Sequence, residues 1–353
     1  MSMRPVATAL LAVALAMTGA QPASAHESGT PNTAPRSVQA KRWTKLAGTL
    51  GHVNDGAGAV RLASYSLVSG AGQRLEGYLR VGDRFVRTPY REAVVSPGQR
   101  WVAAVRGHRV GEAARSLDLI DRRTGVTHTI TMPAAVTSPE WSPDGRRVLL
   151  TAYQRRRGGG LTVIGFVVMD VADREPRLVR TEPRSVAHDR EVGREYRFFF
   201  AGRPDRVLRK HSEREGTAAG SLIAVYDLRG RPAGRYAGVG VPDGRSAAPL
   251  FSPSRRLFAT VVRHDRGARA EIRIVNALTG RVLGRIGDRD VRGFAGWYDD
   301  EHIIVKRERG RTALFQRADL SGRADLDLIR ERLVLTGAEF KPRLDRVYFV
   351  RRG

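Results

Sequence analysis

Basic residues recur in short bursts along this chain of 353 residues, and their side chains suit one kind of chemistry. The bursts are Arg106, His108 and Arg109; Arg155, Arg156 and Arg157; Arg209 and Lys210; Arg263, His264 and Arg266; and Arg307 and Arg309, with Arg351 and Arg352 closing the series. The planar fork of arginine binds phosphate or carboxylate through two parallel hydrogen bonds, and lysine adds a point charge. Such groups gathered on one surface would hold an anion through many shallow contacts, weakened by salt. His108 and His264 each stand 12 residues after an equivalent serine, Ser96 and Ser252. The plainer reading is that exposed loops of an arginine-rich protein carry solvated arginine.

The bursts are spaced by a framework that repeats. A phrase stands most clearly at Trp141-Ser142-Pro143-Asp144-Gly145, and its copies centre on Ser96, Ser142, Ala201, Ser252, Tyr298 and Lys341, with gaps of 46, 59, 51, 46 and 43 residues. The preceding position is Val95, Trp141, Phe200, Phe251, Trp297 or Phe340. Large rings there would fill the space between neighbouring sheets. Each phrase is followed by an apolar strand, a basic loop and a third strand. Four of those third strands end in a turn such as Asp121-Arg122-Arg123-Thr124-Gly125 or Asn276-Ala277-Leu278-Thr279-Gly280. Asp and Asn close such turns with their own side chains, and Gly supplies positive φ. A period near 45 residues means one small sheet per repeat, and so an all-β, six-bladed β-propeller of four-stranded antiparallel blades, with a seventh irregular blade as the alternative. The last copy ends after two strands. Residues 73–80 and 84–88, from the N-terminal region, are expected to complete that blade two-plus-two and remove free edges. Residues 59–68 also alternate like a strand, without an assigned place. The loops between second and third strands fall on one face, which would gather the basic bursts into a discontinuous ring.

The aromatic-Ser-Pro-Asp-Gly turn, the strand after it and the later Asp-x-x-Thr-Gly turn resemble the TolB-type β-propeller repeat, over roughly residues 91–353. The resemblance implies a propeller fold; the phrase marks hairpin turns and carries no chemistry by itself. The chemistry that some propellers add has no counterpart here. No Gly-x-Ser-x-Gly elbow of a hydrolase stands in the chain. Glu140 and Glu339 occupy equivalent positions, but Val94, Phe199, Leu250 and Gly296 stand there in the other repeats, so no ring of calcium ligands forms. No catalytic, cofactor-binding or metal-binding residues are therefore assigned, with calcium the one cofactor held as an alternative. Gly158-Gly159-Gly160 reads as a hairpin tip rather than a phosphate loop.

The first 25 residues read as a secretion signal: Arg4, an apolar stretch over 6–17, and Ala23-Ser24-Ala25 as a cleavage site after Ala25. Residues 26–45 read as a flexible lead-in rich in Pro, Ser, Thr and Asn, and 46–353 as the propeller. No cysteine occurs, which excludes disulfides and a lipidated cysteine. No stretch is long and apolar enough to span a bilayer. The formal net charge is +25, and only five of the 61 basic residues are Lys. Arg over Lys reflects a GC-rich genome of actinobacterial type; basic over acidic calls for an anionic partner. The expectation is a secreted or envelope-associated, monomeric, non-catalytic propeller whose basic loop face binds a protein or an anionic cell-envelope polymer. Nucleic acid is disfavoured, since no aromatic platforms accompany the charge. The alternatives are a metal-dependent hydrolase or lactonase in the central channel, or a small-molecule binding protein.

Overall fold

A computed structural model describes residues 42–56, 58–69, 74–107, 113–157, 160–187, 196–212, 221–243, 249–264, 269–336, 339–340 and 342–352. They belong to one compact unit, Lys41–Gly353. The segment expected to be a secretion signal, its expected cleavage after Ala25 and all but the end of the expected lead-in lie outside the described residues, as do His108, Arg109 and Arg266.

Among the described residues every regular element is a strand. The chain begins with β1 (Trp43–Lys45) and β2 (Gly51–Asn54), so the lead-in is already part of a sheet at Trp43. Next come β3 (Val60–Ser69), β4 (Arg74–Val81) and β5 (Arg84–Arg87), paired in that order. A seven-stranded antiparallel sheet follows: β6 (Tyr90–Val95), β7 (Trp101–Arg106), β8 (Ala114–Asp121), β9 (Thr127–Trp141), β10 (Arg147–Arg155), β11 (Leu161–Asp170) and β12 (Pro176–Ala187). In it, β9 is shared. Its first half is the outer partner of β8 and its second half the inner partner of β10. Then come β13 (Phe198–Phe200), β14 (Arg206–Ser212), β15 (Ser221–Asp227) and β16 (Pro232–Ala237) as one sheet, and β17 (Leu257–His264), β18 (Arg269–Asn276) and β19 (Val282–Ile286) as the next. The sheet of β20 (Val291–Trp297), β21 (His302–Arg309), β22 (Thr312–Asp319) and β23 (Ala324–Arg332) is extended at its outer edge by β2 and β1. The short hairpin β24 (Leu335–Thr336) and β25 (Glu339–Phe340) leads to β26 (Arg343–Arg351), which pairs with β3.

The strands are built from β-branched and apolar residues, as in Leu257-Phe258-Ala259-Thr260-Val261-Val262, and these side chains divide the core into six clusters. Taken in order, the clusters join β6–β8 to β9–β11, β10–β12 to β13–β15, β13–β15 to β17 and β18, β17–β19 to β20–β22, β20–β23 to β2–β5 and β26, and β3 and β26 back to β6 and β7. The sheets therefore follow one another in a cycle, the arrangement of a β-propeller. The innermost strands touch along it: β20 meets β26, β26 meets β6, β6 meets β9, and β9 meets β13.

Closure differs from the two-plus-two expectation. Residues 73–80 and 84–88 were correctly placed as outer strands, now β4 and β5, and residues 59–68 become β3. Since β26 contacts the innermost strands β6 and β20, it is itself innermost, and the sheet is one C-terminal strand plus three N-terminal ones. One consequence corrects the basic ring. Arg351 and Arg352 end at the opposite face, where Gln99 Nε2 of a Ser-Pro turn donates to the Arg351 carbonyl at 2.9 Å.

The repeated phrase behaves as a turn. Ser142 Oγ accepts the Arg147 N–H at 2.9 Å and donates to Asp144 Oδ1 at 2.6 Å. Ser96 and Ser252 accept from Trp101 and Leu257 in the same way, at 3.0 and 3.4 Å. The third residue after the serine has positive φ: Gly145 (70°), Gln99 (57°) and Arg255 (63°). The two tryptophans before the turn reach 47 residues back to the preceding repeat. Trp141 Nε1 donates to the Val94 carbonyl at 2.8 Å and Trp297 Nε1 to that of Leu250 at 2.7 Å.

Candidate functional site

The structure places the basic loop residues unequally. Arg209 lies inside β14, fully buried, with its guanidinium 5.3 Å from the Phe198 ring. Burial lowers its pKa, against the opposing influence of Tyr226, Tyr196 and Glu182. Lys210 stands 5.9 Å from the ring of Tyr196. Arg307, within β21, is buried against Asp288 and the Gly322 carbonyl. Arg263 pairs with Asp243 at 2.7 Å, Arg309 with Asp290 at 3.0 Å and Arg106 with Asp118 at 2.6 Å. Sequence position placed these residues after the second strand, but the strands run further than their apolar cores, and acids of a neighbouring strand (Asp118) or of connecting segments (Asp243, Asp288 and Asp290) sit beside them.

The hairpin tip between β10 and β11 is different. Arg155, Arg156 and Arg157 are all exposed, and among the described residues none of the three has an acidic partner. His264, at the end of β17, is exposed as well. The opposite face also carries exposed arginine, at Arg122, Arg123, Arg146 and Arg256, so basic character is not confined to one side.

A second constellation lies on the innermost strands, where the ladders slip register. The slips fall between Tyr90 and Glu92, opposite Leu149 and Thr151, between Phe294 and Gly296, and between Leu344 and Arg346. A bulge leaves a backbone group unpaired, and here carboxylates take up four N–H groups at or near such places. Glu92 Oε2 accepts from Ser138 (3.0 Å), Glu140 Oε1 from Phe200 (3.1 Å), Asp243 Oδ2 from Phe294 (3.3 Å) and Glu331 Oε1 from Leu344 (2.9 Å). In three of these the other oxygen meets an arginine: Glu92 with Arg346, Glu140 with Arg197 at 3.4 Å, and Asp243 with Arg263. Each of the four N–H contacts joins one repeat to the next, that of Glu92 doing so within the seven-stranded sheet.

Burial decides the electrostatics. Glu140 is raised to about 7 because burial outweighs the help of Arg197 and the Phe200 N–H. Burial also raises Glu331, against its bonds to Thr49 and Leu344. For Arg346 burial opposes the charge, yet Glu92, Tyr348 and Asp345 outweigh it and its pKa rises. These acids are engaged twice over, by a backbone N–H and by a cation or hydroxyl. Their chemistry is to hold neighbouring sheets in register.

Glu140 was singled out in the sequence, as was Glu339, whose side chain lies outside the described residues. Glu92, Arg197, Asp243, Glu331 and Arg346 were missed. A signal existed for two of them: the charged pairs Arg91-Glu92 and Asp345-Arg346 each interrupt an otherwise apolar strand. Among the described residues no group of three His, Asp or Glu side chains could hold a metal ion, and no helix is long and apolar enough to cross a membrane.

No protein-family model matches the chain, and no curated protein is similar to it. Solved structures similar to it include TolB from Acinetobacter baumannii, at 15% identity, covering 83% of this chain and 68% of that one with a TM-score of 0.48. The β-propeller domain of the Trilobed protease from Pyrococcus furiosus is similar at 12% identity, covering 79% and 85%, with a TM-score of 0.48. An acylaminoacyl peptidase from Pyrococcus horikoshii is similar at 13% identity, covering 74% of this chain and 44% of that one, with a TM-score of 0.49. The likeness concerns fold alone.

Proposed function

We propose that this chain is an exported, six-bladed propeller that binds an anionic partner, a protein or a cell-envelope polymer, through exposed arginine at one hairpin tip. Six blades are supported by the six apolar clusters, if the seven-stranded sheet is counted as two blades sharing β9. Export rests on the apolar stretch and small-residue site of the first 25 residues.

The observation that carries the binding reading is the contrast between the loops. Arg106, Arg263, Arg307 and Arg309 are matched by acids, whereas Arg155, Arg156 and Arg157 are exposed and unmatched among the described residues. The expected ring thus contracts to one basic tip, within a surface of net charge +25. Exposed arginines attract anions over about 10 Å at moderate ionic strength and present two-pronged donors on contact.

The test is sedimentation of the purified protein with cell-envelope fractions. Binding is expected at low salt and should drop steeply as salt is raised. The triple variant Arg155→Glu, Arg156→Glu, Arg157→Glu should lose most of it while keeping its unfolding midpoint. Binding that ignores both salt and these substitutions would overturn the reading.

A further inference from the structure

The N-terminal strands bring together a second basic surface, remote in sequence from the loop arginines. Lys45 of β1 lies directly opposite His52 of β2, and His52 directly opposite Arg330 of β23. All three are exposed. Their neighbours Val53 and Ile329 point the other way, into the apolar cluster with Phe315. Arg332, also exposed, stands one residue pair further along β23, opposite Thr312 of β22. These residues and Leu50 line a cavity of about 460 Å³.

Side chains directly opposite on antiparallel strands have Cβ atoms about 5 Å apart, so His52 stands between the charges of Lys45 and Arg330. Arg330 is relieved by Asp327 at 2.5 Å and lies over the Trp43 ring at 5.1 Å. No described acid pairs with Lys45, His52 or Arg332. Glu331, which borders the cavity, is buried and turned away from the exposed row, its Oε1 engaged by Thr49 and the Leu344 N–H. The fold thus gathers Lys45, Arg330 and Arg332 around His52 on one exposed face, a basic patch with one described acid, Asp327, paired to it.

We propose that this row is a binding site for a phosphate-bearing ligand with at least two phosphoryl groups. From Lys45 to Arg330 the row crosses two strand spacings, about 10 Å, which one phosphate cannot bridge. Arg332 supplies a planar fork for a phosphoryl group, Lys45 a point charge, and His52 and Thr312 further polar contacts. The cavity provides room, and the aliphatic stems and Leu50 its floor.

Calorimetric titration of the full chain with inorganic tripolyphosphate at low salt tests this, with orthophosphate as the comparison. Saturable tripolyphosphate binding is expected, clearly tighter than orthophosphate. Lys45→Glu with Arg332→Glu should weaken it by about tenfold or more, and Lys45→Ala alone by a few-fold, since each removes charge-assisted contacts. The Arg155–Arg157 charge-reversal variant should leave it within about twofold, because well-separated sites act independently. That separates this site from the hairpin tip. Absence of saturable binding, orthophosphate binding as tightly as tripolyphosphate, or loss only in the Arg155–Arg157 variant would each overturn the proposal.

Discussion

Glu140 and Arg197 form an ion pair at 3.4 Å in which neither side chain reaches solvent, and Glu140 also accepts the Phe200 N–H. The pair stands where the second half of β9 meets the start of the next sheet. Its partners come from residues 57 and 60 positions later, so it forms only when the two sheets have docked.

The titration of Glu140 gives stability a sign. Its pKa rises from 4.5 in the unfolded chain to about 7 in the folded protein. Between those values the folded state holds a proton that the unfolded state has released, so Glu140's contribution to stability falls as pH rises through that window and is flat above it. Glu140→Gln removes this slope. Wild-type stability minus variant stability, as a signed quantity, should be highest near pH 4.5 and fall steadily towards pH 7, as measured by urea unfolding at several pH values. A difference that grows with pH would contradict the burial of the carboxyl.

Arg346 and Glu92 form a pair at the closure, both almost fully buried. Removing one member of such a pair leaves an uncompensated charge and costs about 3–5 kcal/mol. Arg346→Met should therefore lower the unfolding midpoint strongly. Adding Glu92→Gln, which keeps an acceptor for the Ser138 N–H, should recover part of the loss. If the two losses simply add, the two side chains are not coupled.

The hairpin turns predict a gain. Arg255 takes a positive φ of 63° at the position where Gly145 stands in the clearest copy. A left-handed conformation costs a residue with a Cβ about 1 kcal/mol that glycine does not bear. Arg255→Gly should be neutral to stabilising by up to that amount, and Gly145→Ala destabilising by a similar amount. Thermal unfolding of the two variants measures both signs.

The N-terminal strands should prove integral to the core. Leu46, between β1 and β2, is completely buried in the cluster that joins β20–β23 to β3 and β26. Leu46→Ala is expected to cost about 2–5 kcal/mol. A loss under 0.5 kcal/mol, the size usual for surface positions, would mean that this segment is peripheral.

Local grammar was legible in the sequence and long-range pairing was not. Ser142, Asp144 and Gly145 interact within a few residues, so their turn could be read directly, and the alternation over 73–80 and 84–88 marked β4 and β5. The rank of β26 in its sheet could not be read, because Val347-Tyr348-Phe349-Val350 has the pattern of any buried strand and only contact with β6 and β20 makes it innermost. The sequence reads Arg209 and Arg307 as loop residues, because a buried arginine differs from an exposed one only through its neighbours. The Lys45–His52–Arg330 row depends on a pairing between residues nearly 280 positions apart.

The pairing of β26 with β3 also sets an order of events for a newly made chain. Strand β3 is made well before β26, with every strand from β4 to β25 between them. Until β26 has left the ribosome, β3 presents an open edge and the circle of sheets cannot shut. Loop-closure entropy makes so distant a contact slow to find. A nascent chain stopped before β26 should therefore remain open and sensitive to protease.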